Sequence, residues 1–453
     1  MNWKEMDLTG WGRVIVARSR ACRPERQPEI AAALAEASGD GIIAFGGGRS
    51  YGDAALNTGG RVILTARLNR ILSFDASTGE VVVEPGVTFR DLIDVFLPRG
   101  FMPPASPGTA FATIGGAVAA DVHGKNHDRH GSFGDHVRWI DLLLADGTVR
   151  RISPEADPNL FAATVGGMGL TGIMRAICFR MLPAASAHVV VREERMRDLD
   201  AFLAAFARVR DAATFSVGWI DALATGADAG RGILETAEFA PPGGVAAGAP
   251  VCARAIPFDL PEFVLNPWTV RAFNELYFRR VPAGGRQRTV PFATFLYPLD
   301  AIHHWNRIYG RRGFYQFQCV LPDATAAGGL RQLLAEIGRG RGASFLAVLK
   351  TLGREGRGHL SFPMRGFTLA LDFPRRNGAE EMLRKLERIT IENGGRVYLA
   401  KDALLSPESL RAMYPKIDKF RAVLARVDPH ETFTSDLARR LGLKAARGRG
   451  GSA

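Results

Sequence analysis

Apolar residues in this chain recur in short runs, some with the two-residue period of a strand and some with the three-to-four-residue period of a helix. Arg61-Val62-Ile63-Leu64-Thr65 and Glu80-Val81-Val82-Val83-Glu84 are β-branched runs with Gly or Pro close by, which predicts strands. Residues 89–97 have helical spacing closed by Pro98-Arg99-Gly100. Residues 137–149 read as a hairpin turned at Asp146-Gly147, and 173–181 as a strand ending before Pro183, with a boundary near 186. Beyond it the pattern predicts a strand at 187–191 and a helix at 199–212. Further strands are expected at 314–321, 345–350 and 367–373, and helices at 325–338 and 379–393. Two stretches lack periodicity: 240–253, with Pro241-Pro242-Gly243-Gly244, and 281–288. These are lids over a bulky ligand or simply tolerated insertions. Mixed strands and helices of this kind predict an α+β chain.

Glycine placement adds chemistry to this pattern. The apolar run Ile42-Ile43-Ala44 leads into Phe45-Gly46-Gly47-Gly48-Arg49-Ser50-Tyr51-Gly52-Asp53. Three consecutive glycines let the backbone take positive φ and bring its N–H groups close to an anion. No G-x-G-x-x-G opens a helix here and no Gly-Lys-Ser/Thr ends the loop, so neither a Rossmann nor a Walker fingerprint is present. Alone, such a turn is more often an ordinary surface turn. Two further clusters change the weighing. Gly108-Thr109 leads into Thr113-Ile114-Gly115-Gly116, and Gly166-Gly167-Met168-Gly169 into Gly172-Ile173. Three small-residue segments with threonines suit a long ligand touched at several points, as a dinucleotide in an extended groove would be.

On these and further segments the chain resembles flavoproteins of the vanillyl-alcohol oxidase (PCMH) type, and within them the decaprenylphosphoryl-β-D-ribose 2′-oxidase family. The segments are Leu8-Thr9-Gly10-Trp11-Gly12-Arg13, Gly48 to Asp53, Asp121-Val122-His123-Gly124-Lys125-Asn126-His127, Gly131-Ser132-Phe133-Gly134, Ala162 to Gly167, Gly169 to Gly172, Ala400-Lys401-Asp402 and Ser435 to Leu441. The likeness runs from about residue 8 to about residue 443, and the His-Gly-Lys-Asn-His segment is its specific part. It implies an FAD-binding domain of two α+β subdomains over residues 1–186, an inserted substrate domain with an antiparallel sheet flanked by helices over 187–395, and a return to the FAD domain over 396–445. Residues 446–453 would be a disordered basic tail. The implied reaction is FAD-dependent oxidation of the 2′-hydroxyl of a polyprenylphosphoryl ribose to the 2′-keto sugar. That is the first half of an epimerisation to an arabinose donor for cell-wall glycan, and a separate NADH-dependent reductase would complete it. A soluble sugar, alditol or aldonolactone oxidase is the alternative.

The resemblance also assigns residues. Flavin contacts are implied for Gly46, Gly47, Gly48, Arg49, Ser50 and Tyr51; for Gly108, Thr109, Thr113, Gly115 and Gly116; for Asp121, His123, Gly124 and Asn126; for Gly167, Gly172 and Ile173; and for Tyr398 and Lys401. His123 and Lys401 are the implied catalytic pair, since removing a hydride from an alcohol carbon needs a group that accepts the hydroxyl proton. Without the resemblance, a loop histidine and a surface lysine would be the plainer readings. Trp219, Tyr297, Gln316, Gln318 and Lys350 are implied substrate contacts, and the two-residue period puts Gln316 and Gln318 on one face of a strand. Two departures stand out. Arg49 occupies the place of the flavin-linked histidine of many relatives, which implies noncovalent FAD. Ala370 replaces the family's pocket cysteine, the target of covalent nitroaromatic inhibitors, and Thr368 replaces an asparagine two positions earlier.

Composition is that of a globular enzyme: 453 residues, 47% hydrophobic, with room for two or three domains. Cys22, Cys178, Cys252 and Cys319 have no C-x-x-C spacing, so neither a metal site nor a disulfide framework is expected. No run approaches the roughly 18 apolar residues of a spanning helix. The N-terminus has no apolar signal core, so the expected location is cytoplasmic or peripheral on the inner face of the plasma membrane. The net charge of +12 comes from dispersed arginines without a nucleic-acid-binding motif. It fits a solvated surface, or attraction to an anionic leaflet and a lipid phosphate.

Overall fold

The computed structural model describes residues 1–37, 39–241, 254–340, 342 and 345–444. Residues 242–253, within the longer aperiodic stretch, and the expected tail 446–453 lie outside the described residues.

Three sheets organise the molecule. The first contains β1 (Lys4–Thr9), β2 (Val16–Cys22), β3 (Ile42–Phe45) and β4 (Arg61–Leu64) in the order β1-β2-β4-β3, with β4 parallel to both its neighbours. Helix α1 (Gln27–Ala35) buries Ile30, Ala33 and Leu34 against Ile42 and Ile63 of this sheet. Late in the chain Phe433 bridges to Ile42, held by Ile42 N–H to the Thr432 carbonyl (2.8 Å) and Thr434 N–H to the Ile42 carbonyl (3.1 Å). The second sheet is antiparallel: β5 (Ile71–Asp75), β6 (Glu80–Val83), β7 (Val137–Leu143), β8 (Val149–Ile152) and β9 (Ile173–Arg180), ordered β5-β6-β9-β7-β8. Between β6 and β7 lie α2 (Phe89–Phe96) and α3 (Ile114–Ala119). In α2, Thr88 and Asp91 form a reciprocal capping box, while Phe89, Leu92, Ile93 and Phe96 are buried.

The third sheet has eight antiparallel strands: β10 (His188–Met196), β11 (Phe215–Ile220), β12 (Gly232–Phe239), β13 (Arg286–Pro291), β14 (Phe314–Pro322), β15 (Ala347–Leu352), β16 (Gly366–Pro374) and β17 (Arg396–Val397). Their order is β13-β10-β12-β11-β15-β16-β14-β17. Helices α4 (Leu199–Val209), α6 (Asp323–Gly340) and α7 (Ala379–Glu392) pack against it, and α5 (Pro267–Arg279) packs on Trp219 of the interior strand β11 and on Asp221 just after it. The apolar alternation assigns the faces. Phe317, Cys319 and Leu321 are core residues, while Gln316 and Gln318 turn to the other side.

Most expected elements are present, with shifted ends. The strand expected at 345–350 runs 347–352, and the helix expected to reach 212 stops at Val209. The region 281–288 is not all loop. After Gly285 (φ +75°) the chain enters edge strand β13, because Arg286 and Arg288 both reach the fully buried carboxylate of Glu193 on β10. Two arginines aimed at one acid two strand positions apart make an ordered edge from a sequence without apolar alternation.

Candidate active site

The glycine loop leaves the end of β3 and is held by backbone contacts too close for side chains. A Cβ on Gly46 would stand 2.4 Å from Thr113 Oγ1, and one on Gly47 would stand 2.5 Å from the Phe111 carbonyl. One on Gly52 would reach within 1.8 Å of the Asp402 carbonyl. Gly48 has φ +64°, which favours glycine. Tyr51 N–H donates to the Ala400 carbonyl at 3.0 Å. Arg440 then clamps two buried acids, reaching Asp53 at 2.7 Å and Asp402 at 2.9 Å. The loop is therefore fixed from three directions: the 109–113 segment, the 400–402 segment and the C-terminal helix residues.

Between these glycine segments and the open face of the eight-stranded sheet lies a cavity of about 480 Å³. One wall comes from Gly46 to Gly52, Gly108, Thr109, Thr113, Gly115, Gly116, Gly172 and Ile173. The opposite wall carries Trp219, Gln316, Gln318, Lys350 and Ala370, and His123, Gly124, Tyr398 and Lys401 lie where the walls meet. A Cβ on Gly108 would meet nothing within 4 Å, so the wall is open there. Arg49 lies over the Trp11 ring, 4.2 Å from its centroid, and near Phe111.

Four expected contacts are not in the wall. Asp121, at φ +41°, accepts from Gly134 N–H (2.9 Å) and Ser361 Oγ and holds the turn after α3. Asn126 Nδ2 donates to the Pro104 carbonyl (2.9 Å). Gly167 lies so close to the Ala163 carbonyl that a Cβ would stand 1.9 Å from it. Tyr297 is set one layer back, its hydroxyl bonded at 2.6 Å to Ser106 Oγ, which is in the wall. Of the four, Tyr297 alone bonds a residue of the wall; the other three hold backbone and side chains behind it.

The electrostatics centre on two clusters. In the first, Gln318 Nε2 donates to His123 Nε2 (2.9 Å) and to Thr368 Oγ1 (3.2 Å). His123 then carries its proton on Nδ1, a buried atom with no hydrogen-bond partner among the described residues. Burial, with Lys350, His127 and Lys401 adding to it, keeps the imidazole well below its usual pKa and hence neutral. In the second, Lys401 Nζ lies 3.9 Å from the centre of the Tyr51 ring. Burial pulls the lysine's pKa down to about 7; Asp372 opposes that shift and Lys350 adds to it. Asp372 is fully buried on β16, accepting from Gln316 Nε2 (2.6 Å) and Tyr309 Oη (2.9 Å), and burial raises its carboxyl to about 7. Lys350 is lowered to about 8 by burial and then by Lys125. Lys125 is itself lowered to about 8 by burial; its Nζ donates to the Phe295 carbonyl.

Neither Asp372 nor Lys125 is among the residues that the glycine pattern or the resemblance assigns. An acid inside the otherwise apolar run Leu369-Ala370-Leu371-Asp372-Phe373 is a legible signal, because strand acids are seldom buried without a partner. Lys125 sat inside the His-Gly-Lys-Asn-His segment, yet its reach into the cavity depends on packing from residue 295.

The glycine wall and the partnerless His123 Nδ1 fit FAD: a cavity lined on one side by three glycine segments, with one buried polar atom left unpaired among the residues that line it. Comparison with known proteins agrees. Residues 19–153 match the FAD binding domain family, and residues 368–441 the D-arabinono-1,4-lactone oxidase family. The chain is 38% identical to the decaprenylphosphoryl-beta-D-ribose oxidase of Mycolicibacterium smegmatis, covering 96% of this chain and 97% of that protein. It is 36% identical to an uncharacterized protein encoded in the mprA 5′ region of Streptomyces coelicolor, over 79% of this chain and all of that one. Similarity to the L-gulono-1,4-lactone dehydrogenase of Mycobacterium tuberculosis is lower, 23% over 95% of the chain. Near-complete coverage at that first level of identity, on a chain with this cavity, makes it a member of the decaprenylphosphoryl-β-D-ribose oxidase family of FAD-dependent oxidoreductases.

Proposed function

We propose that this protein oxidises the 2′-hydroxyl of a polyprenylphosphoryl-β-D-ribose to the ketone, with noncovalently bound FAD. The observation that carries the reading is the composition of the cavity wall. It has Lys125 and Lys350 for a phosphate, Gln316 and Gln318 for sugar hydroxyls, and Lys401 beside His123 where the two walls meet. In this reading residues 1–186 and 396–445 hold FAD in two subdomains and the eight-stranded sheet holds the substrate. Arg49 has no nucleophilic nitrogen to offer the flavin, since its guanidinium stays protonated. A separate NADH-dependent reductase would return the ketone to the epimeric alcohol.

When bound, FAD supplies the acceptor for the hydride on C2′. The chain's residues do the rest. The glycine loop would hold the diphosphate by backbone N–H groups, and the neutral His123 ring, oriented by Gln318, would border the reacting centre. With a pKa near 7, Lys401 is largely free amine just above neutrality, so its Nζ takes the hydroxyl proton as the C–H bond breaks. Asp372, bonded to Gln316, shares the charge that Lys401 then carries. Tyr51 and Tyr398 close the recess to water.

The test is anaerobic mixing of the purified protein with polyprenylphosphoryl ribose. Bleaching of the flavin band at about 450 nm, with all colour released on acid precipitation, supports the reading. Bleaching only with free sugars or aldonolactones transfers the protein to the soluble-substrate reading, and a colourless protein that takes up no FAD overturns both.

A further inference from the structure

Ten large apolar side chains are exposed among the described residues, and five of them lie between positions 258 and 276. They centre on α5. This helix is anchored on its inner side by buried Val270 and by Asn274, whose Nδ2 donates to Asp221 Oδ1 at 2.6 Å. Arg231 ties the same aspartate to Glu275. The outer face would ordinarily be polar. Here it carries Trp268, Ala272 and Leu276 at four-residue spacing, with Phe273 alongside and Phe258 and Phe263 just upstream; Phe263, Trp268 and Leu276 are each at least 74% exposed. Arg271 lies to one side of this face, and Arg279, ion-paired to Glu275, closes its C-terminal end. Arg312 and Arg376 both reach Glu262, next to Phe263.

The patch is continuous with the cavity. Phe273 and Tyr277 belong both to α5 and to the cavity wall, their rings packed at a tilt against Phe345 and Trp219 with centroids 5.0 and 4.8 Å apart. One end of the cavity therefore opens onto an apolar helix face rimmed with arginines, on a chain of net charge +12. Trp, Phe and Leu on one face with arginines at its margin is the arrangement of a helix lying in a headgroup layer. We propose that α5 and residues 258–264 enter the surface of an anionic phospholipid bilayer. The apolar tail of the substrate then passes from the leaflet into the cavity along Phe273 and Tyr277 without crossing water. The delivery role rests on the lipid-linked substrate proposed above; the bilayer contact itself does not.

The test uses the FAD-loaded protein and vesicles of phosphatidylcholine with or without phosphatidylglycerol. The wild type should sediment with the anionic vesicles, and its fluorescence should be quenched by acyl chains brominated near the headgroup. The triple variant F263S/W268S/L276S should bind at least about tenfold more weakly. Its FAD content and its turnover of a water-soluble, short-chain substrate should be unchanged. Should that variant misfold, W268F alone decides, because it should bind vesicles yet lose the bromolipid quenching. Equal vesicle binding by wild type and triple variant, or none by either, overturns the proposal. So does a wild-type dimer that the variant converts to monomer, which would make a second copy the occupant of this face. Vesicle binding without bleaching by short-chain polyprenylphosphoryl ribose would instead refute the substrate reading and leave the bilayer contact standing.

Discussion

Lys401 and Asp372 share one environment, and their chemistry follows from what burial does to opposite charges. Burial drives the lysine down to about 7 and the carboxyl up to about 7, so both shed a proton as pH rises through neutrality. A base works only when unprotonated. The rate of flavin reduction should therefore be low at pH 5.5 and rise to a plateau above about 8, as read by anaerobic stopped flow. Lys401→Arg keeps the positive charge but stays protonated across that range. It should retain FAD while losing about 100-fold or more in reduction rate; near-normal reduction would make Lys401 a charge stabiliser and not a base. A second residue-scale expectation concerns Ala370. It lines the cavity, whereas the free thiols of Cys22, Cys178 and Cys319 are buried, and burial raises them to about 11, about 11 and about 12. Mass spectrometry should find no stable adduct at Ala370 with nitroaromatic inhibitors of the cysteine-directed class, and A370C should restore one.

At the scale of elements, the glycine loop is held by close approach and not by side chains. Gly52→Ala places a methyl group 1.8 Å from the Asp402 carbonyl, so the loop or the 400–402 segment must move. A loss of about 1–3 kcal/mol is expected in thermal unfolding, with a lower ratio of bound FAD to protein. This loop was legible in the sequence only together with the two glycine segments that follow it, because three glycines after a strand-like run are by themselves more often an ordinary surface turn. So was the placing of Gln316 and Gln318, because a strand's period is fixed. What could not be read was decided by neighbours distant in sequence. Asp372 gains its meaning because β14 lies beside β16, bringing Gln316 and Tyr309 to its carboxylate. The strand at 286–291 exists because Glu193, over ninety residues earlier, accepts two of its arginines. The outward setting of Asn126 and Tyr297 likewise follows from Pro104 and Ser106, partners that no local pattern reveals.

At the scale of the whole molecule, the cofactor groove is a meeting place of distant segments. Arg440 joins Asp53 to Asp402, and both acids are nearly inaccessible to water. Removing it leaves two buried carboxylates facing each other without a cation. Arg440→Ala should cost about 3–5 kcal/mol in denaturant unfolding, and Arg440→Lys, without the forked geometry, should recover only part of it. The same clamp sets an order of events during synthesis. The glycine loop leaves the ribosome within the first tenth or so of the polypeptide, yet its latch is translated almost four hundred residues later. A nascent chain arrested before Ala400 lacks the carbonyl that receives Tyr51 N–H, and one arrested before Arg440 lacks the clamp on Asp53 and Asp402. The loop's final shape is thus expected only once translation is nearly complete, and a chain truncated before Arg440 should carry less bound FAD than the full chain, as read from flavin absorbance after desalting.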